Sequence, residues 1–322
     1  MLTPRHIIFW ILPIPPLLAL CLLAGPSGFG IPDLHSPTGQ ALLDLRLCRL
    51  ATGFVVGAAL ACSGCALQAV LRNALAEPYV LGVSSGGSLG AAVVIAAGLS
   101  AVSPLALPAG AFLFAAATLA LVCLIANRVG GYSPNALILT GVVIGTMLSS
   151  LLMLLLSFAR SGAIHSITWW LMGNLQATSW ALVAAVALAA ACAIILLGYE
   201  SRALNALLLG QEAAHNLGVR TRITVPVVLA AATLAAASAV AVSGIIGFVG
   251  LIVPHALRKI VGANHRALIP CSALFGGTFL VVCDALARTL FAPHEIPVGV
   301  ITSLTGGPFF LFLLTRRGSP SA

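Results

Sequence analysis

The groups able to do chemistry in this chain are sparse: eight cysteines, seven carboxylates, seven histidines and 15 lysines or arginines in 322 residues. Cys62 and Cys65 form a C-x-x-C pair, a spacing that suits metal binding or thiol redox chemistry. The pair lies inside ATGFVVGAALACSGCALQAV, with no second pair and no histidine nearby, and a free cysteine in such a run packs as a small hydrophobe. Most of the others (Cys21, Cys48, Cys123, Cys192, Cys271 and Cys283) also lie in apolar runs. An active site needs carboxylate, imidazole or thiol groups that converge, whereas these acids and histidines sit almost entirely at the edges of apolar stretches. His255, after Pro254, reads as the partner of a backbone group where a helix breaks, and His165, His294 and Glu295 read as solvated loop residues, with contact to a substrate as the alternative. No G-x-x-x-x-G-K-[ST] loop occurs, so hydrolysis of ATP is expected only from a separate chain. Chemistry by side chains is therefore excluded as the main business of the protein, and recognition is what remains.

The elements that would position these groups follow from composition. Hydrophobic residues make up 60% of the chain and charged residues 7%, with mean hydropathy +1.13; a soluble domain carries about 25% charged residues. Too little polar surface exists to face water, so most of the surface faces lipid. The formal charge of +8 does not indicate nucleic acid. The basic residues stand singly or in pairs between apolar runs, with Lys259 the one lysine, in the manner of topology-setting charges.

A membrane-crossing helix needs about 20 mainly apolar residues. The runs predict ten spans, near 7–25, 50–71, 84–103, 108–127, 135–158, 177–198, 222–243, 245–258, 267–290 and 297–315, in one transmembrane domain over 1–322. The first run, MLTPRHIIFWILPIPPLLALCLLAG, has a basic start but no A-x-A-like site, and reads as an uncleaved helix. With the N-terminus cytoplasmic, the inner connections hold eleven basic residues: Arg5, Arg72, Arg128, Arg202, Arg220, Arg222, Arg258, Lys259, Arg266, Arg316 and Arg317. The outer ones hold four, Arg46, Arg49, Arg160 and Arg288, so both termini are expected inside. Trp169, Trp170 and Trp180 fit an aromatic belt at the outer face. The short run IIGFVGLIVPHALR and the glycine-broken PYVLGVSSGGSLG mark interruptions, which membranes tolerate only where protein or a water-filled cavity shields the backbone. Glycine pairs four apart, Gly53 with Gly57, Gly82 with Gly86 and Gly90, and Gly141 with Gly145, read as close-packing ridges.

The longest polar inner connection, ESRALNALLLGQEAAHNLGVRTR (200–222), looks like two short amphipathic helices broken at Gly210 and closed by Gly218. Leu207, Leu208, Ala214 and Leu217 could form an apolar face for a partner's groove, and a surface helix lying on the membrane fits the pattern equally well.

Six motifs in order then carry a resemblance: LRLCRLATGFVVGAALACSGCALQAVLRNALAEPYVLGVSSG (45–86), WWLMGNL (169–175), LNALLLGQEAAHNLGV (204–219), GIIGFVGLIVPHALRKIVGANHR (244–266), CDALAR (283–288) and IPVGVITSLTGGPFF (296–310). From about Asp44 to Arg316 the chain resembles the FecCD-type permeases, membrane subunits of ABC importers for iron-siderophores, heme and vitamin B12. The resemblance implies an all-α, ten-helix subunit of a homodimer in the bacterial inner membrane. Each subunit would rest on a cytoplasmic ATPase, which carries the ATP and magnesium, under a periplasmic binding protein, with spans five and ten lining the path. Gly210, Glu212, Ala213 and Gly218 match the coupling helices that sit on the ATPase. Arg46, Arg49 and Arg288 match positions that meet glutamates of the binding protein, a role the planar guanidinium fork suits. For Arg288 a local pair with Asp284, four residues away on one helix face, is the alternative. Two residues depart from the family pattern: Cys48 replaces the usual proline before Arg49, and Ala74 replaces the proline of R-N-P-L. A ferric siderophore is the leading cargo, then a corrinoid, then heme. The rival reading is an ion-coupled secondary transporter, which would want ionisable groups at mid-membrane depth.

Overall fold

A computed structural model of the chain describes residues 12–25, 28–175 and 179–317, without the side chains of 313–317. The first eleven residues, and with them Arg5 and the start of the first span, lie outside the described residues, as do the side chains of Arg316 and Arg317.

The described chain is helical almost throughout. Helix α1 (Ile14–Leu23) opens on Pro15 and Pro16, whose missing N–H groups cost nothing in a first turn, and leads into a two-residue antiparallel pair, Ala24–Gly25 with Gly28–Phe29. Helix α2 (Pro37–Val70) starts 13 residues before the apolar run does, because the Ser36 hydroxyl accepts the Gly39 N–H at 3.1 Å and Pro37 presets the first turn. A 3₁₀ turn (Pro78–Leu81) and Gly82 lead to α3 (Val83–Ala96). That helix ends seven residues before the expected 103, since Gly98 takes φ +72° and turns the chain into the four-residue α4 (Leu99–Val102). Then come α5 (Ala106–Gly130), α6 (Pro134–Phe158) and α7 (Ser161–Leu171), the last not anticipated from the apolar runs. Helix α8 (Trp180–Tyr199) is followed by the short α9 (Ser201–Leu207) and α10 (Gln211–Asn216). The chain finishes with α11 (Thr221–Ser243), α12 (Val249–Val261), α13 (His265–Thr289) and α14 (Val298–Arg317).

Six of these are long and apolar enough to cross a membrane: α2, α5, α6, α8, α11 and α13. The shorter apolar helices α1, α3 and α14, together with α12, complete the ten segments that the apolar runs indicate. The eighth segment differs from expectation in that 244–248 is extended and only 249–261 is helical.

Burial sorts the helices into layers. The most apolar stretch of α2 is 78% buried and that of α11 is 72% buried, against about a third or less for α5, α6 and α8. The inner helices are rich in Ala, Gly and Ser, and small side chains let backbones touch where lipid supplies no hydrophobic drive. A Cβ on Gly57 would stand 2.2 Å from the Gly276 carbonyl oxygen, and one on Gly64 would stand 2.0 Å from that of Gly250. The Ser63 hydroxyl donates to the Ala232 carbonyl at 2.6 Å, tying α2 to α11. Cys62 and Cys65 are fully buried in this packing, the Cys62 thiol lying 3.4 Å from the Ile269 carbonyl oxygen.

Candidate functional site: two ends of the bundle and a broken helix between them

Helices α2 and α13 run antiparallel, so the start of one meets the finish of the other. At that end four ionised groups interlock. Arg49 places Nε 3.1 Å and Nη2 2.9 Å from the Asp284 carboxylate, and Nη1 2.8 Å from Glu295. Arg288 Nε lies 3.1 Å from the same Asp284, the i, i+4 pair that the helix spacing allows. The remaining Arg288 donors reach the carbonyls of Ala24 (3.0 Å) and Cys21 (3.2 Å), and Arg46 Nη1 donates to those of Gly30 (2.9 Å) and Leu23 (3.3 Å). Gly25 is open enough for this clamp: a Cβ there would meet Arg46 Nη2 at 2.3 Å.

Arg46, Arg49 and Arg288, which the resemblance matches to binding-protein contacts, are engaged within the chain. Arg46 is 7% exposed and Arg288 3%, and their donors fasten the 21–30 segment onto α2 and α13. Among the described residues no carboxylate pairs with Arg46. Of the acids in the cluster, only Glu295, at 26% side-chain exposure, opens toward the outside. Helix α2 continues unbroken through Cys48, and the Thr52 hydroxyl donates to the Cys48 carbonyl at 2.7 Å.

The other end gathers segment 200–222 and most of the remaining basic residues. A Cβ on Gly210 would approach Arg72 Nη1 at 3.3 Å, and Gln211 Nε2 donates to the Tyr132 carbonyl in the α5–α6 turn at 2.8 Å. The two-helix reading of the segment holds: α9 and α10 are separated by Gly210 at φ +109° and followed by Gly218 at φ +86°. Its apolar face is the expected one in part, with Leu208 and Leu217 outward but Leu207 and Ala214 not. Leu207 and Ala214 are buried in the bundle, together with Leu204, so they hold the segment in place. Leu208, Leu209 and Leu217 face outward instead, with Leu209 67% and Leu217 65% exposed. Glu212 and Gly218 are exposed beside them, Ala213 is partly buried and Gly210 is buried.

Between the ends, the extended stretch 244–248 interrupts the helices. Its polar backbone is satisfied by residues the apolar runs did not single out. The Tyr79 hydroxyl donates to the Ile246 carbonyl (2.6 Å) and accepts the Ile246 N–H (2.9 Å), while the Asn174 N–H donates to the Ser243 carbonyl (2.7 Å). Burial pushes the Glu77 carboxyl up to about 7, an effect the nearby Phe248 backbone only partly offsets. Phe248 sits at φ +69°, unusual for a residue with a side chain. Glu77 and Tyr79 belong to the AEPYVLG stretch, whose motif character was the signal available for them.

His165 stacks on Trp169 and both line a cavity of about 700 Å³ with Trp170 and Asn174. Trp180 Nε1 donates to Asp44 at 2.9 Å, and His294 is exposed.

The arrangement has two chemically distinct ends, a dense small-residue core and an internal break, and it matches known proteins throughout. A profile of the FecCD transport family matches residues 14–316. The cobalamin import system permease BtuC of Halobacterium salinarum is 43% identical over 91% of this chain and 78% of its own length. The hemin transport system permease HmuU of Yersinia pestis is 40% identical over 85% of this chain and 83% of its own. A solved structure, described as an inward-facing conformation of a metal-chelate type ABC transporter, superposes with TM-score 0.87 at 34% identity and covers 98% of this chain. A membrane bundle of this architecture, matched over nearly its whole length by importer permeases, places the chain in the FecCD transport family as a membrane-spanning permease of ABC importers.

Proposed function

We propose that the chain is one half of a homodimeric permease that passes a ferric siderophore, or another bulky chelate such as a corrinoid or heme, from periplasm to cytoplasm. It lies in the bacterial inner membrane with both termini and segment 200–222 on the cytoplasmic side, the side that the eleven-to-four division of basic residues favours. A separate ATPase binds ATP and magnesium, and a periplasmic binding protein docks over the Arg46–Arg49–Arg288 end.

The observation that carries this reading is the exposed leucine face of segment 200–222. Leu208, Leu209 and Leu217 stand out from two short helices whose buried residues, Leu204, Leu207 and Ala214, anchor them. An anchored segment with an unburied apolar face beside Glu212 suits a partner's groove. At the opposite end a carboxylate of the binding protein would exchange with the half-open Glu295 on Arg49, since the inner forks are already engaged. Cargo selection resides largely in the binding protein, in keeping with relatives of similar identity whose names carry cobalamin or hemin.

The test is co-purification of the ATPase with the affinity-tagged permease from membranes. The double variant Leu209→Asp/Leu217→Asp is expected to lose the ATPase while keeping its own yield and monodispersity; retention of the ATPase would refute the assigned face. Uptake of labelled ferric siderophore, cobalamin and heme, in parallel in cells lacking the gene, identifies the cargo. Uptake that persists without nucleotide and collapses with the ion gradient would establish the secondary-transporter reading.

A further inference from the structure

We propose that Asn205 is a positioning residue that locks segment 200–222 to the first turn of α13, making α13 the strut that carries movement between the two ends of the permease. This rests on the reading that the segment faces the ATPase.

The joint is one side-chain amide. Asn205 Oδ1 accepts the backbone N–H of His265 at 2.9 Å and lies 2.7 Å from His265 Nδ1, while Nδ2 donates to Asn264 Oδ1 at 3.0 Å. An amide oxygen only accepts, so His265 carries a proton on Nδ1. His265 is fully buried, and Asn264 is the residue that caps α13, its Oδ1 also accepting the Arg266 N–H at 3.1 Å. One residue of α9 therefore holds the cap, the first backbone donor and the first side chain of α13 together. Leu204 and Leu207, buried on either side of Asn205, prevent α9 from sliding over that contact.

From the joint at His265, α13 runs on to Asp284 and Arg288, which organise the arginine cluster roughly 29 and 35 Å away at 1.5 Å per residue. Pro270 interrupts its hydrogen-bond ladder near the joint, and α2 braces the helix there through Cys62 against the Ile269 carbonyl. Further along, Gly57 of α2 leaves no room for a Cβ against the Gly276 backbone, and Gly277 leaves none against Phe54. Helices packed backbone to backbone do not bend independently, so a displacement at Asn205 reaches the arginine cluster as a tilt of the α2–α13 pair. Helix α10 grips a different part of the bundle, through Gln211 to Tyr132 in the α5–α6 turn. With Gly210 between the two grips, one driven segment moves the strut and that turn in fixed relation.

The experiment uses the permease with its ATPase and binding protein in lipid nanodiscs and reads ATP hydrolysis without and with saturating binding protein. Asn205→Ala is expected to co-purify its ATPase in wild-type amount and keep basal hydrolysis within about twofold, while stimulation by the binding protein drops fivefold or more. Asn205→Asp, which keeps both acceptor bonds to His265, is expected to retain at least half of the wild-type stimulation. Unchanged stimulation in Asn205→Ala overturns the proposal, and so does loss of the ATPase from that variant, because Asn205 would then be shaping the contact surface. Absence of the ATPase from wild-type preparations removes the ATPase-facing reading itself, and the proposal with it. Should Asn205→Ala fail to accumulate, Asn205→Gln, whose extra methylene carries the amide out of register with both His265 and Asn264, decides the question by the same ratio: a severalfold drop supports the strut, and an unchanged ratio overturns it.

Discussion

Asp284→Asn is the perturbation that most directly interrogates the charge cluster. In the wild type, Arg49 and Arg288 are balanced by Asp284 and Glu295, with side-chain exposures of 13%, 4%, 3% and 26% respectively. Asparagine keeps the shape of the aspartate and removes its charge, leaving an excess positive charge in a nearly closed site. Glu295 still serves Arg49, so Arg288 loses the one carboxylate it pairs with among the described residues and keeps the Cys21 and Ala24 carbonyls. Breaking a buried pair by removing one partner costs about 3–5 kcal/mol. At about 2 °C per kcal/mol for a chain of this length, the melting temperature should fall by roughly 6–10 °C. Adding Arg288→Met restores neutrality, since Arg49 and Glu295 remain, but leaves two carbonyls unbonded at a cost of about 1–3 kcal/mol. The double variant should therefore recover only part of the loss, with a coupling energy of at least about 1.5 kcal/mol between the two sites. The assay is thermal unfolding of purified protein in one fixed lipid or detergent, for wild type, both single variants and the double variant. Additive losses would refute the reasoning, because they would mean that Asp284 and Arg288 do not sense each other's charge.

Other expectations come from the same geometry. Gly57→Val forces a Cβ against the Gly276 carbonyl and should destabilise by about 3 kcal/mol or more, whereas Gly198→Ala, with nothing within 4 Å, should stay within about 1 kcal/mol; paired melting curves check both. Glu77→Gln should stabilise the protein at pH 8 and leave it unchanged near pH 4. The folded-state pKa near 7 lies above the ordinary 4.5, so stability is lost as pH rises through that window, by on the order of 1–3 kcal/mol, and an uncharged amide avoids the loss. Glu295→Gln frees one Arg49 donor and should tighten docking of an acidic partner about 3- to 10-fold in a binding titration; weaker docking would mean that Glu295 itself touches the partner.

The spanning helices were legible in the sequence because lipid imposes a long apolar run on each crossing. Helices α6, α11 and α13 fall within two residues of the runs that predict them. What the runs do not encode was missed. The first turns of α2 and the whole of α7 are amphipathic or polar and lie beyond the apolar stretches. In the seven-residue α9, a helical periodicity offers too few points to tell Leu207, which is buried, from Leu209, which is exposed. The arginines were identifiable by type and spacing. Their partners were not, because Arg49 and Asp284 are 235 residues apart and meet only once α2 and α13 pack antiparallel. Arg288 was the exception: its neighbour lies one helical turn away, and that pair is present.

The extended stretch 244–248 shows how one sequence reconciles lipid with irregular backbone. An unsatisfied backbone amide or carbonyl away from water costs several kcal/mol, so a break between two helices of a bundle survives only if side chains or other backbone groups take over its hydrogen bonds. Here a single tyrosine hydroxyl serves both the N–H and the C=O of Ile246, a residue that is 1% exposed. Room for the irregular chain comes from glycine: at Gly244 a Cβ would lie 2.2 Å from the Trp170 carbonyl oxygen, and at Gly299 2.2 Å from that of Met172. The Phe248 ring closes against Gly306 of α14, where a Cβ would meet it at 2.3 Å. The tyrosine that bonds the break sits on the turn after α2, and the glycines that make room for it are Gly244, in the break itself, and Gly299 and Gly306, on α14. These elements are distant in sequence and meet at the break. Loosening any one of them removes a partner or the room on which the break depends, so the stretch favours discrete arrangements over gradual deformation.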